Sequence, residues 1–301
     1  MTPGDNIPEG LDHLAGPDEY SSLLIELARD LPRVAAPLRR AEANRRQKLL
    51  SYLRGARFKG VEELLLYLDR VAEIFAGDNR LERAAGLIER LIRDFETAVE
   101  ATLSGYTGVM SDAMRDVIEI ERLLLDFAVE PERLDLWFEA DSETRWEKFR
   151  PERVRKRLEA RGAGEIASSV NRADYAGHSQ AVHVTPSPPL VGNRGLERED
   201  TGFFADAGFW EIFEHGGRAL VAITAVRMAL TGDDDQLAPL DRFRDARTRT
   251  QEMQDIALAM LLGPSELRNE LGREPTHAEL LAHVRRKLAN GWGQEEIETT
   301  D

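Results

Sequence analysis

The sequence lacks several residue types and patterns that define common protein classes. None of its 301 residues is cysteine, which excludes disulfide bonds, thiolate metal ligands and a cysteine nucleophile. No apolar run reaches the roughly 18 residues that span a bilayer. The first residues, MTPGD, carry neither the basic nor the apolar part of a secretory signal. We therefore expect a cytoplasmic protein without a membrane partner.

Basic residues are scarce relative to acidic ones. The chain has 40 Lys and Arg against 55 Asp and Glu, a net charge of −15, so it repels nucleic acid unless positive charge is concentrated locally. Residues 145–161 hold eight basic and three acidic side chains. This excess predicts a nucleic-acid-binding segment comprising Arg153, Arg155, Lys156 and Arg157. The alternative is a solvated helix face that pairs with the acidic residues of 101–150.

Apolar residues recur at spacings of three and four along most of the chain, which predicts an all-α, multi-helix bundle without a significant sheet. Gly216-Gly217 marks a kink or break in the helix over 203–230, whose aromatic residues are assigned to the core or to a dimer face. The segment after residue 183, with Pro186 and Pro188, ends a helix. We predict helices over residues 20–28, 34–53, 61–75, 81–103, 110–129, 132–139, 151–160, 167–182, 203–230 and 241–262.

The same patterns divide the chain into four parts. Residues 1–16, rich in proline and glycine, form a flexible arm, and 17–262 form the helical bundle domain. Residues 264–290 form a small helical appendage, and 291–301 an acidic tail. Thr276 and Glu279 have the spacing of a capping box and predict a helix start in the appendage. Residues 271–281 are also similar to a short sequence segment in the DNA-binding modules of bacterial sigma factors.

One polar stretch differs from the rest of the chain. Tyr175, Ser179 and His183 are spaced by four residues, so successive members turn only about 40° around a helix and lie on one stripe. The neighbouring Ala176 and Gly177 leave room for a second helix. We predict a hydrogen-bonded network at this stripe. The alternative is a satisfied polar cluster that holds three helices in register.

A second polar feature follows the helix over 110–129. Five charged residues fall within about 80° of each other on an otherwise largely apolar helix. Such a narrow seam predicts either a covered helix whose Arg and Glu reach the Tyr/Ser/His stripe, or an exposed stripe of ion pairs. The seam comprises Asp112, Arg115, Glu119, Arg122 and Asp126.

Motifs of the common metal and cofactor enzymes are absent from the sequence. It has no His-Glu-x-x-His, Walker loop, Gly-x-Gly-x-x-Gly or Gly-x-Ser-x-Gly. None of its six histidines forms an i,i+4 pair of ligands. We therefore expect no metal and no cofactor.

The pattern of Tyr175, Ser179, His183 and Pro186, preceded by Arg115-x3-Glu119, resembles a group of uncharacterised bacterial helical proteins related to the HEPN superfamily. The resemblance covers about residues 100–190 and implies a HEPN-like core over about 100–230. HEPN proteins are helical bundles that often dimerise. Many are metal-independent RNA-cutting toxins or defence effectors that use an Arg-x4-6-His motif.

The resemblance also implies roles for individual residues. Arg172 and His178 match the spacing of the family's motif, although Ala173 stands where a polar residue is commoner. Arg172 would hold the phosphate, and His178 or His183 would transfer the proton during attack by a 2′-hydroxyl. Tyr175 and Ser179 would orient these groups. The supporting residues on the preceding helix would be Arg115, Glu119 and Arg122.

Two classes of function follow, and the sequence does not decide whether the protein is an enzyme. The first is a metal-independent endoribonuclease that acts on RNA as a toxin or defence effector. The second is a non-catalytic helical adaptor or protein-interaction scaffold that binds a protein partner or a second copy, with or without nucleic acid. A nucleic-acid-binding role requires residues 145–161 to form one exposed stripe.

Overall fold

A computed structural model describes residues 17–52, 55–162, 202–232, 240–276, 278–279, 282–283 and 286. For residues 17–19, 51, 202–206 and 254–266 it describes the backbone alone. Every regular element in these ranges is a helix, and none is a strand. The prediction of an all-α, multi-helix protein is confirmed. The predicted arm and acidic tail lie outside the described residues.

Ten helices have bounds in the described ranges, and the described residues between 278 and 286 are helical as well. Their bounds agree with the predicted bounds to within a few residues for most elements, and α6 and α8 agree fully. The helix predicted over 167–182 lies outside the described residues. The helices are α1 Pro17–Asp30, α2 Pro32–Tyr52, α3 Ala56–Gly77, α4 Glu82–Ser104, α5 Thr107–Val129, α6 Glu132–Glu139, α7 Ser142–Phe149, α8 Pro151–Ala160, α9 Gly202–Thr231 and α10 Asp241–Leu271.

Two helices differ from the sequence prediction. Helix α7 was not predicted because it is short and polar, but the Asp141 carboxylate accepts a hydrogen bond from the Thr144 N–H at 2.7 Å and caps its start. Helix α10 does not end at residue 262 as predicted. It continues through Pro264 to Leu271, and the burial of Leu267 supplies packing beyond the proline.

Helix α5 lies at the centre of the bundle, where it packs against α4, α8 and α9. Helix α3 packs against α4 and α10, while α1 packs on α2, which in turn packs on α4. The predicted core role of the α9 aromatics is confirmed for Phe209 and Phe213, which are fully buried. None of the described helices is long and apolar enough to cross a membrane.

The sequence predicts a kink or a break at Gly216-Gly217. The prediction of a break is wrong, because α9 is one continuous helix from Gly202 to Thr231. The glycines instead allow close helix packing. A Cβ atom at Gly216 would lie 3.0 Å from a methyl carbon of Leu64, and one at Gly217 would lie 2.8 Å from a guanidinium nitrogen of Arg247.

A close helix crossing lies at Gly60 of α3. A Cβ atom there would lie 2.5 Å from the Cβ of Ala246 on α10 and 2.9 Å from the ring of Phe213 on α9. Gly86 of α4, by contrast, is exposed and has no atom within 4 Å of such a position. Gly60 and Gly86 thus form a matched pair for measuring the effect of close packing.

We expect Gly60→Ala to lower the free energy of unfolding by about 1–3 kcal/mol, because an added methyl group overpacks the crossing of three helices. Gly86→Ala should raise it by up to about 1 kcal/mol through helix propensity alone. Urea denaturation followed by circular dichroism measures both. Equal stability of the two variants would contradict the close crossing at Gly60.

Candidate functional site

The five residues predicted to be catalytic, Arg172, Tyr175, His178, Ser179 and His183, lie outside the described residues. Their assembly into one centre therefore stays a prediction. The supporting residues lie on α5. Arg115 and Glu119 form an ion pair with 3.4 Å between Nε and Oε1, and both side chains are partly exposed. Arg122, about two turns beyond Arg115, is buried.

The charged seam of α5 therefore has two parts. Its first part, from Asp112 to Glu119, is half-buried, and its second part, Arg122 and Asp126, is buried. Burial of the second part agrees with a covered helix and not with an exposed stripe. The predicted reach to the Tyr/Ser/His stripe involves residues outside the described ranges and stays a prediction. An i,i+4 ion pair of the kind expected of an exposed stripe is present in the first part, between Arg115 and Glu119.

The Asp126 carboxylate is held by two arginines from other helices. Arg133 of α6 donates from Nε at 2.7 Å, and Arg157 of α8 donates from Nε at 3.0 Å and from Nη2 at 2.8 Å. Both guanidinium groups also lie over the ring of Phe149, with centroid distances of 4.4 and 5.8 Å. This network joins α5, α6 and α8. Arg157 is therefore bound to a carboxylate of the protein itself.

The other predicted nucleic-acid-binding residues lie on the same helix, α8. Arg155 pairs with Glu159 at 2.5 Å, and Lys156 pairs with Glu152 at 2.7 Å. Arg153 is exposed and has no ion pair with a described residue. The cations of α8 thus do not form one unpaired stripe. Ion pairs with residues 101–150, which the alternative interpretation expects, are present at Arg157 with Asp126 and at Arg161 with Glu130, whereas Arg155 and Lys156 pair within α8. Nucleic-acid binding by α8 stays a prediction.

A cleft of about 350 Å³ separates α4 from α5. Burial and the charge of Asp116 raise the pKa of Asp94 to about 6, although Arg90 and Arg93 act in the opposite direction. Arg90 donates to Asp116 at 2.5 Å and lies 4.0 Å from the Asp94 carboxylate. Within the described ranges, no group of three or more side chains could hold a metal ion. The cleft is lined by Asp94, Thr97, Val109, Asp112, Ala113, Arg115 and Asp116.

A second concavity, larger than this cleft, lies between α1 and α2, and we name it the α1–α2 groove. Its volume is about 550 Å³. Its aliphatic side chains include Ile25, which is 67% exposed, and Leu50, which is 79% exposed. Further large apolar side chains are exposed on α1, on α2 and at the residue between the two helices, namely Leu23, Leu31, Val34, Leu38 and Leu49. The groove is lined by Ser21, Leu24, Ile25, Arg39, Glu42, Ala43, Arg46, Gln47 and Leu50.

The inner face of α2 is fastened to the end of α4. The Lys48 ammonium group donates to the carbonyl of Thr102 at 2.7 Å, and the Asn44 amide donates to the carbonyl of Ser104 at 3.1 Å. These carbonyls belong to the last turn of α4, where backbone acceptors lack i+4 donors within the helix, although the Thr102 carbonyl also accepts the Gly105 N–H at 3.4 Å. The hydrogen bonds from α2 to these carbonyls anchor α2 to the bundle and so hold its outer face in place.

Sequence reasoning missed the α1–α2 groove. The apolar periodicity of 20–28 and 34–53 predicts helices but does not show what covers their apolar residues, and the structure leaves many of these residues exposed. One sequence feature could have indicated it: α2 contains six basic residues and one acidic residue in a chain whose net charge is −15. This excess is larger than that of α8.

The predicted capping box of the appendage is present. The Thr276 N–H donates to the Glu279 carboxylate at 2.8 Å, and the Glu279 N–H donates to the Thr276 hydroxyl oxygen at 3.3 Å. Arg273 also donates to Glu279 at 2.6 Å, and these contacts lower the pKa of Glu279 to about 2. The box starts a helix as predicted.

Comparison with protein-family models, with curated proteins and with solved structures finds no match. The resemblance to HEPN proteins therefore stays a prediction. The functional evidence therefore comes from the chain's own surfaces. The α1–α2 groove has an exposed apolar lining, and one of its walls, α2, is held in place by hydrogen bonds to α4. An exposed apolar surface of this kind is typical of a docking site.

We expect Asp94→Asn to raise the free energy of unfolding at pH 7 by about 1–3 kcal/mol. The pKa of Asp94 lies above its ordinary value of 3.8, so the folded state favours the protonated form. The stability that this protonation contributes is full below pH 4 and is lost as the pH rises through about 6. Urea denaturation between pH 4 and pH 7 measures the difference.

The matched control is Asp69→Asn, which removes an exposed carboxylate from α3. It should change the free energy of unfolding by no more than about 0.5 kcal/mol at either pH. If Asp94→Asn behaves like Asp69→Asn, the burial of Asp94 imposes no cost on the folded state.

Proposed function

We propose that the protein is a non-catalytic helical adaptor that binds a partner protein through the α1–α2 groove. The observation that carries this proposal is the exposure of Ile25 and Leu50 in a groove of about 550 Å³. Contiguous exposed apolar surface in a soluble protein is typical of an interaction site, because leaving it in water is unfavourable.

The shape of the groove favours a helical ligand. Its lining on α2 runs from Arg39 to Leu50, which corresponds to about 16 Å along the helix axis or three turns. Amphipathic helices bind such grooves through apolar residues at positions i, i+3 or i+4, and i+7. The buried contacts of α2 with α4 keep the receiving surface in place when the ligand binds.

The charges of α8 support a protein partner over nucleic acid. Arg157 is bound to the buried Asp126, and Arg155 and Lys156 have carboxylate partners on their own helix. A phosphate would have to compete with these ion pairs. The net charge of −15 adds long-range repulsion of a polyanion.

We expect a labelled, neutral amphipathic helical peptide, with leucines at i, i+3 and i+7 and glutamines elsewhere, to bind the full chain with micromolar affinity. Ile25→Glu or Leu50→Glu should weaken binding at least about tenfold, since burying an aliphatic side chain contributes about 1.5–3 kcal/mol. Fluorescence anisotropy measures the affinity.

Val221→Glu is the matched control, because Val221 is 55% exposed on α9, away from the groove lining. It should leave the affinity unchanged, and circular dichroism should show full helix content in all three variants. Absence of peptide binding to the wild-type chain, or equal loss in Val221→Glu, would refute the adaptor proposal.

A second proposal is the metal-independent endoribonuclease of the HEPN resemblance. It is supported by the Arg115–Glu119 pair, which the resemblance associates with the site and which remains partly exposed on the central helix α5. Arg115 also lines the α4–α5 cleft, so a guanidinium group is present at a concave surface.

For this second proposal we expect cleavage of single-stranded RNA that persists in EDTA and disappears in His178→Ala or His183→Ala. His13→Ala, outside the proposed motif, should cleave as the wild type does. Gel electrophoresis of labelled RNA measures cleavage. If the wild type leaves RNA intact while the two histidine variants lose about one to a few kcal/mol of stability, the histidines are structural.

A further inference from the structure

We infer that the α1–α2 groove selects an acidic partner: an amphipathic helix whose carboxylates meet Arg39 and Arg46 while its apolar residues fill the groove. This inference rests on the proposed adaptor function. It specifies that the partner is negatively charged and that Arg39 and Arg46 recognise its carboxylates.

The charge of α2 contrasts with that of the whole chain. Between Pro32 and Tyr52 there are six basic residues and one acidic residue, a net charge of +5, whereas the chain carries −15. Lys48 is buried against α4, and Arg45 pairs with Glu100 at 3.2 Å. The remaining basic residues of α2 are exposed to solvent, namely Arg33, Arg39, Arg40 and Arg46.

Two of these exposed arginines line the groove itself. Arg39 and Arg46 are seven residues apart, so they lie on one face of α2 and about 10 Å apart along its axis. Arg39 has no ion pair with a described residue. The Arg46 side chain is 66% exposed, and its guanidinium lies 3.8 Å from the Glu42 carboxylate, beyond hydrogen-bond distance.

Exposed guanidinium groups that lack a hydrogen-bonded carboxylate partner among the described residues favour carboxylate ligands. Their planar arrays of N–H donors match the two oxygens of a carboxylate, and a charge-assisted hydrogen bond is stronger than a neutral one. A partner helix with leucines against Leu24, Ile25 and Leu50 would bring glutamates seven residues apart to Arg39 and Arg46. A basic helix in the same position would face the like charges of Arg39 and Arg46, against which the lining offers one carboxylate, Glu42.

The outer arginines of α2 extend this preference. Arg33 and Arg40 are exposed and have no ion pair with a described residue. They add a positive field around the groove that speeds the approach of an acidic ligand and is screened by salt. Charge selection by α2 therefore depends on ionic strength, while the apolar contacts of the groove do not.

The experiment uses the full chain and three labelled helical peptides with the same leucines, differing only in flanking Glu, Gln or Lys residues. At about 50 mM NaCl, the Glu peptide should bind at least about tenfold tighter than the Lys peptide. At about 500 mM NaCl, the preference should fall to about twofold. Anisotropy titrations measure all three affinities.

The double variant Arg39→Glu/Arg46→Glu tests the two residues. It should prefer the Lys peptide over the Glu peptide and bind the Gln peptide as the wild type does, within about twofold. A reversed preference cannot come from unfolding. Arg153→Glu on α8, another exposed arginine without an ion pair to a described residue, is the control and should keep the preference of the wild type.

Equal binding of the three peptides to the wild type would overturn this inference and leave the adaptor proposal standing. Failure of all three, the Gln peptide included, would overturn both. Tighter binding to phosphatidylserine vesicles than to the Glu peptide would overturn the inference in favour of a lipid surface. A wild-type dimer that the double variant abolishes would overturn it in favour of a second copy.

Discussion

The buried carboxylate of Asp126 constrains how the short helices meet the bundle. A charge this deep in α5 is tolerated only when it is paired and hydrogen-bonded, and Arg133 and Arg157 supply three bonds to it. The same contacts fix α6 and α8 against α5. They also bind Arg157, which belongs to the basic segment 145–161. Part of the positive charge of this segment is therefore neutralised inside the protein. Exposed positive charge without an ion pair to a described residue is concentrated on α2, at Arg33, Arg39 and Arg40, whereas α8 has one such residue, Arg153.

Sequence patterns predict where helices form better than what covers them. The bounds of α6 and α8 follow directly from apolar spacing and from Pro151 at a helix start. Helix α7 escapes this approach because its only buried residue is Phe149 and its Trp146 is 67% exposed. Its signal is local, a capping carboxylate at Asp141. Short polar helices are found by caps and not by periodicity.

The network around Asp126 and the α1–α2 groove show what a single sequence leaves open. The seam on α5 is visible from spacing alone, but its partner Arg157 is 31 residues away along the chain, and helical geometry cannot pair residues so distant. Likewise, an amphipathic pattern shows that one side of α2 is apolar without showing whether that side meets the core or solvent. Ile25 and Leu50 are aliphatic residues of predicted helices, and the structure shows that both are exposed.

The two concave surfaces differ in how their charges are compensated, and this difference separates a docking site from a structural cleft. In the α4–α5 cleft, Arg90 and Arg93 already lie close enough to oppose the rise in the pKa of Asp94, and Arg90 is bound to Asp116. A ligand there would have to displace internal ion pairs. Beside the α1–α2 groove, Arg39 has no such partner among the described residues, and Arg46 has only a distant one. Because charge-assisted hydrogen bonds form most favourably where no internal pair must first be broken, the groove gains more from a ligand than the cleft does.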